Sequence, residues 1–249
     1  VKVAVLLYGQ PRFLDNKEAY ASQKKHLLDQ YDCDVYAHIW HDIFNSENKV
    51  LEYSKWTVGP NNELYHPNIG LLKSDSNAVD KIQKHYNPVL LDLAVPRTFT
   101  IPKLLSTIQN RFNSPIYNEH NLSNFLSQAY SLEQASFLLQ KFISDYDWIF
   151  WLRTDLLIKS MPDLNTLSPT QFYLSDQHPD HPDLSFVMGS QFLEAASIYS
   201  YMTSQKAIDN VSSMSNGYGE SFKLKTYQEH YSMSDYCPIR WDLEVVRSN

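Results

Sequence analysis

The sequence predicts an α/β protein built on a mostly parallel sheet, and three observations lead there. Two short runs, Lys2-Val-Ala-Val-Leu-Leu-Tyr8 and Trp148-Ile-Phe-Trp-Leu152, are almost wholly apolar and end on polar residues, as strands buried on both faces do. The first run is followed by a stretch of helical spacing and then by a second apolar run at 34–40, the order of a parallel βα unit. The strongest helical period of the chain, at 121–144, leads directly into the Trp148–Leu152 run.

Taken in order, the first strand breaks at Gly9-Gln10-Pro11-Arg12, a tight loop in which Gly9 allows close backbone approach to a ligand. Arg12 can reach a phosphate there or pair with an acid. The helix expected at 16–30 has Asn16 as its N-cap and Ala19, Tyr20, Gln23, Leu27 and Leu28 on its inward face. In the second strand, His38 alternates with Val35, Ala37 and Ile39 and reads as a hydrogen-bonded core histidine. His41 and Asp42, past its end, are candidates for metal or substrate. Residues 45–87 read as an irregular insertion with turns at Gly59-Pro60 and Pro67-Asn68, closed by a helix at 77–86. A third strand covers 88–92.

Within the long helix the apolar positions run from Phe125 to Phe142. Gln128 and Ser131 share a face and meet either a ligand or a neighbouring loop. The strand that follows ends in Arg153-Thr154-Asp155, at the carboxyl end where ligands gather in open α/β sheets. The arginine suits a phosphate and the carboxylate a metal ion; a plain strand-end ion pair is the structural alternative. Short strands are expected at 156–159, 171–174, 184–188 and 239–246, with helices at 191–202 and 221–230. Asp176 follows a strand end, and Glu220 lies in the first turn of a helix, where the helix dipole alone stabilises an acid. The loop at 177–183 carries His178 and His181 among acids and reads as a solvated loop rather than a metal site. No linker or composition shift divides the chain, so residues 1–249 are expected to form a single domain.

Composition narrows the function. A formal charge of −7 argues against nucleic-acid binding and against adsorption to anionic membranes. No apolar stretch approaches the roughly 20 residues of a membrane span. The first residues are too short and β-like for a signal peptide, and Cys33 and Cys237 have neither metal-ligand nor disulfide-framework spacing, so a cytoplasmic, reducing location is expected. Among 17 Tyr, 12 Phe and 5 Trp, most are read as core. The six glycines form neither a dinucleotide-binding turn nor a P-loop, and no nucleophile elbow occurs. A nucleotide diphosphate must then be held another way, for example by a divalent ion on a carboxylate.

Three segments resemble GT-A-type glycosyltransferases, especially small bacterial and viral enzymes acting on surface glycans or glycoproteins. They are the opening strand with Tyr8-Gly9-Gln10-Pro11-Arg12, the run Asp34-Val-Tyr-Ala-His-Ile-Trp-His-Asp42, and Ser127-Gln-Ala-Tyr-Ser131 followed by Tyr146-Asp-Trp-Ile-Phe-Trp-Leu-Arg-Thr-Asp155. The resemblance implies a GT-A-like α/β/α sandwich around a mostly parallel sheet. It also implies a nucleotide-sugar donor, a glycan or glycoprotein acceptor, and Mn2+ or Mg2+ as cofactor. The family's Asp-x-Asp stands here as Arg153-Thr154-Asp155, so Asp155 takes the metal-binding role, and Arg153 contacts the diphosphate or salt-bridges an acid. His230, Asp235 and Asp242 are candidates to complete the metal site. Tyr8, Gly9, Gln10, Arg12, Gln128, Ser131 and Arg153 are the expected donor-binding residues, and Asp176 and Glu220 the candidate bases. Two rival readings remain: a non-catalytic nucleotide- or sugar-binding module of the same fold, and a metal-dependent hydrolase built on His38, His41, Asp42 and the His178/His181 loop.

Overall fold

The computed structural model describes residues 1–45, 47–52, 57–58, 64–65, 71–113, 117–175, 186–211, 236–239 and 243–246. The elements, in chain order, begin with β1 (Lys2–Gly9), α1 (Lys17–Gln23) with a π turn at Lys24–Leu28, and β2 (Asp32–Trp40). The insertion follows, with β3 (Lys49–Glu52), β4 (Thr57–Val58), β5 (Leu64–Tyr65), β6 (Leu71–Ser74) and α2 (Ala78–Tyr86). Then come β7 (Leu90–Ala94), α3 (Pro102–Phe112), α4 (Glu119–Leu139), a 3-10 segment at Gln140–Asp145 and β8 (Trp148–Leu152). The last part holds β9 (Leu156–Ile158), β10 (Phe172–Ser175), β11 (Phe186–Gly189), α5 (Ile198–Met202), α6 (Gln205–Val211), β12 (Tyr236–Ile239) and β13 (Leu243–Val245).

Among the described residues the central sheet has seven strands, in the order β12-β10-β11-β8-β1-β2-β7. All neighbouring pairs run parallel except the two that involve β11, so β11 alone is reversed. The expected mostly parallel α/β sheet is therefore present. Burial explains why the two opening runs are nearly continuous in apolar residues: Val3 to Leu7 and Trp148 to Leu152 are at most 2% exposed.

Alternate residues of β1 enter two cores. Ala4, Leu6 and Tyr8 pack with Leu126, Ala129 and Leu132 of α4, and with residues of α3, α5 and α6. Val3, Val5 and Leu7 pack on the opposite face with Leu14, Leu27, and Ala78, Ile82 and Tyr86 of α2. Helices thus cover both faces of the sheet. The large aromatic rings fill these cores: Trp151 lies 4.6 Å from Phe186, centroid to centroid, and Phe172 lies 4.5 Å from Phe186. No helix among the described residues is long and apolar enough to cross a membrane.

Several expectations change in detail. The first helix keeps Asn16 as N-cap, its Oδ1 accepting from the Glu18 and Ala19 amides, but its second half is a π turn. Where it is described, the insertion expected to be irregular holds paired strands: β3 and β6 pair antiparallel, as do β4 and β5. The expected strand at 239–246 divides, with β12 on the edge of the large sheet and β13 pairing with β9 outside it. The helix expected at 191–202 is a 3-10 segment at Ser190–Ala196 followed by α5. The helix expected at 221–230 lies outside the described residues.

Candidate functional site

The chain runs outward from β1 to β2 and β7, then returns across one face through α4 to lay β8 on the other side of β1. The direction of winding reverses between β1 and β8, and at such a switch point the loops diverge and leave a crevice beyond the carboxyl ends. Leu7 pairs with Leu152, so the loop starting at Gly9 and the turn starting at Arg153 emerge side by side.

The two segments are tied together. Thr154, 3% exposed, donates through its hydroxyl to the Arg12 carbonyl at 2.8 Å. Beneath the turn lies Gln23 of α1, fully buried. Its amide nitrogen is 3.1 Å from the Arg153 carbonyl and 2.6 Å from that of Leu156, and its oxygen accepts from the Tyr86 hydroxyl at 2.7 Å. Burial drives the Tyr86 phenol well above its usual range, so it stays protonated and serves as donor. A side chain that satisfies several buried carbonyls of one turn fixes its backbone.

On this turn Asp155 is 2% exposed. Its carboxylate accepts from Arg153 Nε at 2.9 Å and from Arg153 Nη2 at 2.6 Å, a two-pronged pair. Arg12 Nη1 lies 3.8 Å from the same carboxylate. Arg12 Nε in turn donates to Gln10 Oε1 at 3.1 Å, which also accepts from the Leu51 amide at 3.1 Å. Glu52 accepts from the Phe13 amide at 3.3 Å. The β3–β6 ribbon of the insertion therefore braces the loop that carries Arg12. Backbone shape in that loop is unusual: Gly9 has φ +100 and Phe13 φ +53. A side chain at Gly9 would meet no atom of the described residues within 4 Å, while its left-handed backbone favours glycine. A bulky residue such as Phe13 in the left-handed region is strained and persists only where its surroundings hold it, a pattern common beside functional sites.

The metal expectation meets a difficulty in this geometry. Both Asp155 oxygens already accept hydrogen bonds from Arg153. A divalent ion would have to displace a guanidinium from a nearly buried carboxylate. Among the described residues no group of three or more His, Cys, Asp or Glu side chains is placed to hold a metal. The described residues by themselves do not fit Mn2+ or Mg2+ as arranged. His230, Asp235 and Asp242 lie outside the described residues, as do Asp176, Glu220, His178 and His181.

The remaining candidates separate. Ser131 is fully buried and belongs to the framework: its hydroxyl accepts from the Gly9 amide at 2.8 Å, lies 2.7 Å from His38 Nδ1 and is 3.0 Å from the His38 carbonyl. It joins α4 to β1 and β2 instead of facing open space. His38 is the hydrogen-bonded core histidine the alternation suggests. Desolvation lowers its pKa to about 4, opposed by Asp92 and assisted by Arg97, so its 3.6 Å approach to Asp92 is not an ion pair at neutral pH. Tyr8 is buried in the core, and Gln128 is half-buried on the same helix as Ser131. His41 Nε2 lies 3.2 Å from Asn48 Nδ2, and its Nδ1 has no hydrogen-bond partner among the described residues. Asp42 accepts from the Phe44 amide at 2.9 Å.

One group escaped the sequence reading. Arg97, exposed beyond the carboxyl end of β7, lies 4.2 Å above the Tyr130 ring and 4.8 Å above Phe99. Tyr130 stacks on Trp40, with centroids 5.7 Å apart. Three separate segments supply these residues, so no local spacing announces them. No family model and no curated protein matches the chain.

Proposed function

We propose that the protein is a glycosyltransferase that moves a sugar from a nucleotide-diphosphate donor to a glycan or glycoprotein acceptor. The observation that carries this reading is the meeting of the Gly9–Arg12 loop and the Arg153–Asp155 turn at the carboxyl ends of β1 and β8, where the winding reverses. The GT-A resemblance implies a mostly parallel sheet between helical layers, and the sheet, with one reversed strand among seven, agrees with it. The absence of a glycine-rich phosphate loop leaves charged side chains to hold the diphosphate, and two arginines stand at this edge.

In an inverting transfer, a carboxylate takes the proton of the acceptor hydroxyl. The freed oxygen bonds to the anomeric carbon as the bond to the diphosphate breaks, and the diphosphate leaves with the electron pair. Asp176 and Glu220 are the proposed bases. Charge grows on the leaving diphosphate, so cationic groups held in place before reaction favour the transition state.

A thermal-shift panel of nucleoside diphosphates and nucleotide-sugars tests the class. One nucleotide and its sugar conjugate should raise the melting temperature with increasing concentration, because a ligand bound to the folded state stabilises it by mass action. A flat panel would remove the reading. Binding without donor cleavage would favour the recognition module instead.

A further inference from the structure

We infer that Arg97, seated over the rings of Tyr130 and Phe99, forms a subsite that grips the carboxylate of an acidic acceptor sugar; its assignment to the acceptor rests on the transferase reading. The guanidinium carbon lies 4.2 Å from the Tyr130 ring centroid and 4.8 Å from that of Phe99. Tyr130 in turn stacks on Trp40, their planes 22° from parallel. Tyr199 closes the group, its centroid 5.1 Å from that of Tyr130 and 5.6 Å from that of Phe99. Contact with ring faces restricts a guanidinium without using its N–H donors. Among the described residues Arg97 makes no hydrogen bond and no ion pair, although it is exposed on a chain of formal charge −7. A planar fork of five donors is therefore held in place and open to a ligand.

The stack stands beside the loop of the proposed donor site. Gly9 pairs with Ile39, the residue before Trp40, and the Gly9 amide donates to Ser131, the residue after Tyr130. An acceptor hydroxyl must come within bonding distance of the donor sugar, so a neighbouring subsite is where the rest of the acceptor is held. The chemistry of the stack selects the ligand. A cation is excluded, because Arg97 already occupies the ring faces and would repel it. A carboxylate offers two in-plane oxygens to the guanidinium fork, and its single charge matches the single cation. Tyr130 and Tyr199, both half-buried, present apolar ring and hydroxyl together, which suits the mixed faces of a sugar. The Trp40 indole, 4% exposed, has no acceptor for its N–H among the described residues, and an unpaired buried donor is expected where a bound group or water completes the set.

Titration of the purified, isotope-labelled chain with methyl glucuronide and with the methyl glycoside of N-acetylneuraminic acid tests the subsite, read from the arginine and tryptophan side-chain N–H resonances. Methyl glucoside, the methyl ester of the sialoside and glucose 6-phosphate are the references. At least one acidic glycoside should bind about tenfold or more tightly than its neutral counterpart, and added salt should weaken it. Arg97→Gln should abolish that preference. Arg97→Lys should keep only part of it, because a lysine retains the charge and loses the planar fork. Melting of each variant identifies any that fails to fold, and Arg97→Lys, which keeps a cation over the rings, then carries the comparison. If Arg97 only pins its loop onto α4, Arg97→Gln will melt lower with the preference for acid unchanged, and that result would overturn the subsite. Equal binding of acidic and neutral glycosides, tighter binding of the sugar phosphate, or no binding of any sugar would overturn it too, and each leaves the transferase reading to the nucleotide panel. Acid-selective binding beside a flat nucleotide panel would keep the Arg97 subsite and remove the transferase reading.

Discussion

His38 shows how one residue can look catalytic and serve the framework. Its ring lies between the Ser131 hydroxyl at 2.7 Å and the Asp92 carboxylate at 3.6 Å, a serine–histidine–aspartate sequence of contacts. Yet Ser131 is fully buried, and its hydroxyl holds the Gly9 amide, so no acyl group can reach it. The consequence is a pH effect on stability. The folded His38 pKa is lowered to about 4 by burial, below the ordinary value of 6.5, so the unfolded chain binds the extra proton between those values. Stability from the neutral ring is complete above about pH 6.5 and is lost as the pH falls toward 4, an effect of roughly 3 kcal/mol if the unfolded ring titrates normally. Urea midpoints measured from pH 7 to pH 4 should fall, and His38→Gln should flatten part of that fall; an identical slope in the variant would show that the acid sensitivity lies elsewhere. The alternation around His38 made its core position readable in the sequence. The partner of Ser131 was not readable, because it depends on how α4 lies across β1 and β2. Gln23 was legible only as a position on the inward face of a helix; its clamp on the Arg153 turn joins residues 130 positions apart.

At the level of elements, short range and long range separate clearly. The buried strands β1, β2 and β8 announce themselves by apolar runs, and α4 by its period, because each signal lies within the element. The break of the first helix into a π turn carries no such signal: Lys24 to Leu28 would suit an α-helix equally well. The ribbon of β3 and β6 was missed because its strands have four residues each and stand 18 residues apart. Its function is visible in three dimensions, where Leu51 and Glu52 brace the loop of Arg12. The end of β11 gives a sharper test of packing. A methyl group on Gly189 would lie 1.7 Å from the Pro169 carbonyl oxygen, a backbone atom that cannot turn aside. Gly189→Ala should therefore cost about 1–3 kcal/mol or more in urea unfolding, since overpacking moves backbone. A variant as stable as the parent would mean that the Pro169 loop gives way freely.

For the whole molecule, what matters is the order of strands. An α/β class and a mostly parallel sheet follow from the succession of apolar runs and helices, but the return of β8 to the free side of β1 is a long-range choice that no window of sequence contains. That choice places the switch point between β1 and β8 and brings Arg12 to Asp155 across 143 positions. Both residues stand just past strand ends in the sequence, where an ion pair between Arg153 and Asp155 is one of two expected outcomes. The structure has that ion pair, at the point where the winding reverses between β1 and β8. The central claim is that this crevice holds the donor of a sugar transfer. The most direct measurement is the rate at which the parent chain and Asp155→Asn release nucleoside diphosphate from the nucleotide-sugar that stabilises the fold, followed by chromatography. The parent should release it steadily, and the near-isosteric variant, folded by circular dichroism, should be slower by about 100-fold or more, the scale of losing one preorganised electrostatic group. Release by the variant at the parent rate, or no release from any nucleotide-sugar, would contradict the account.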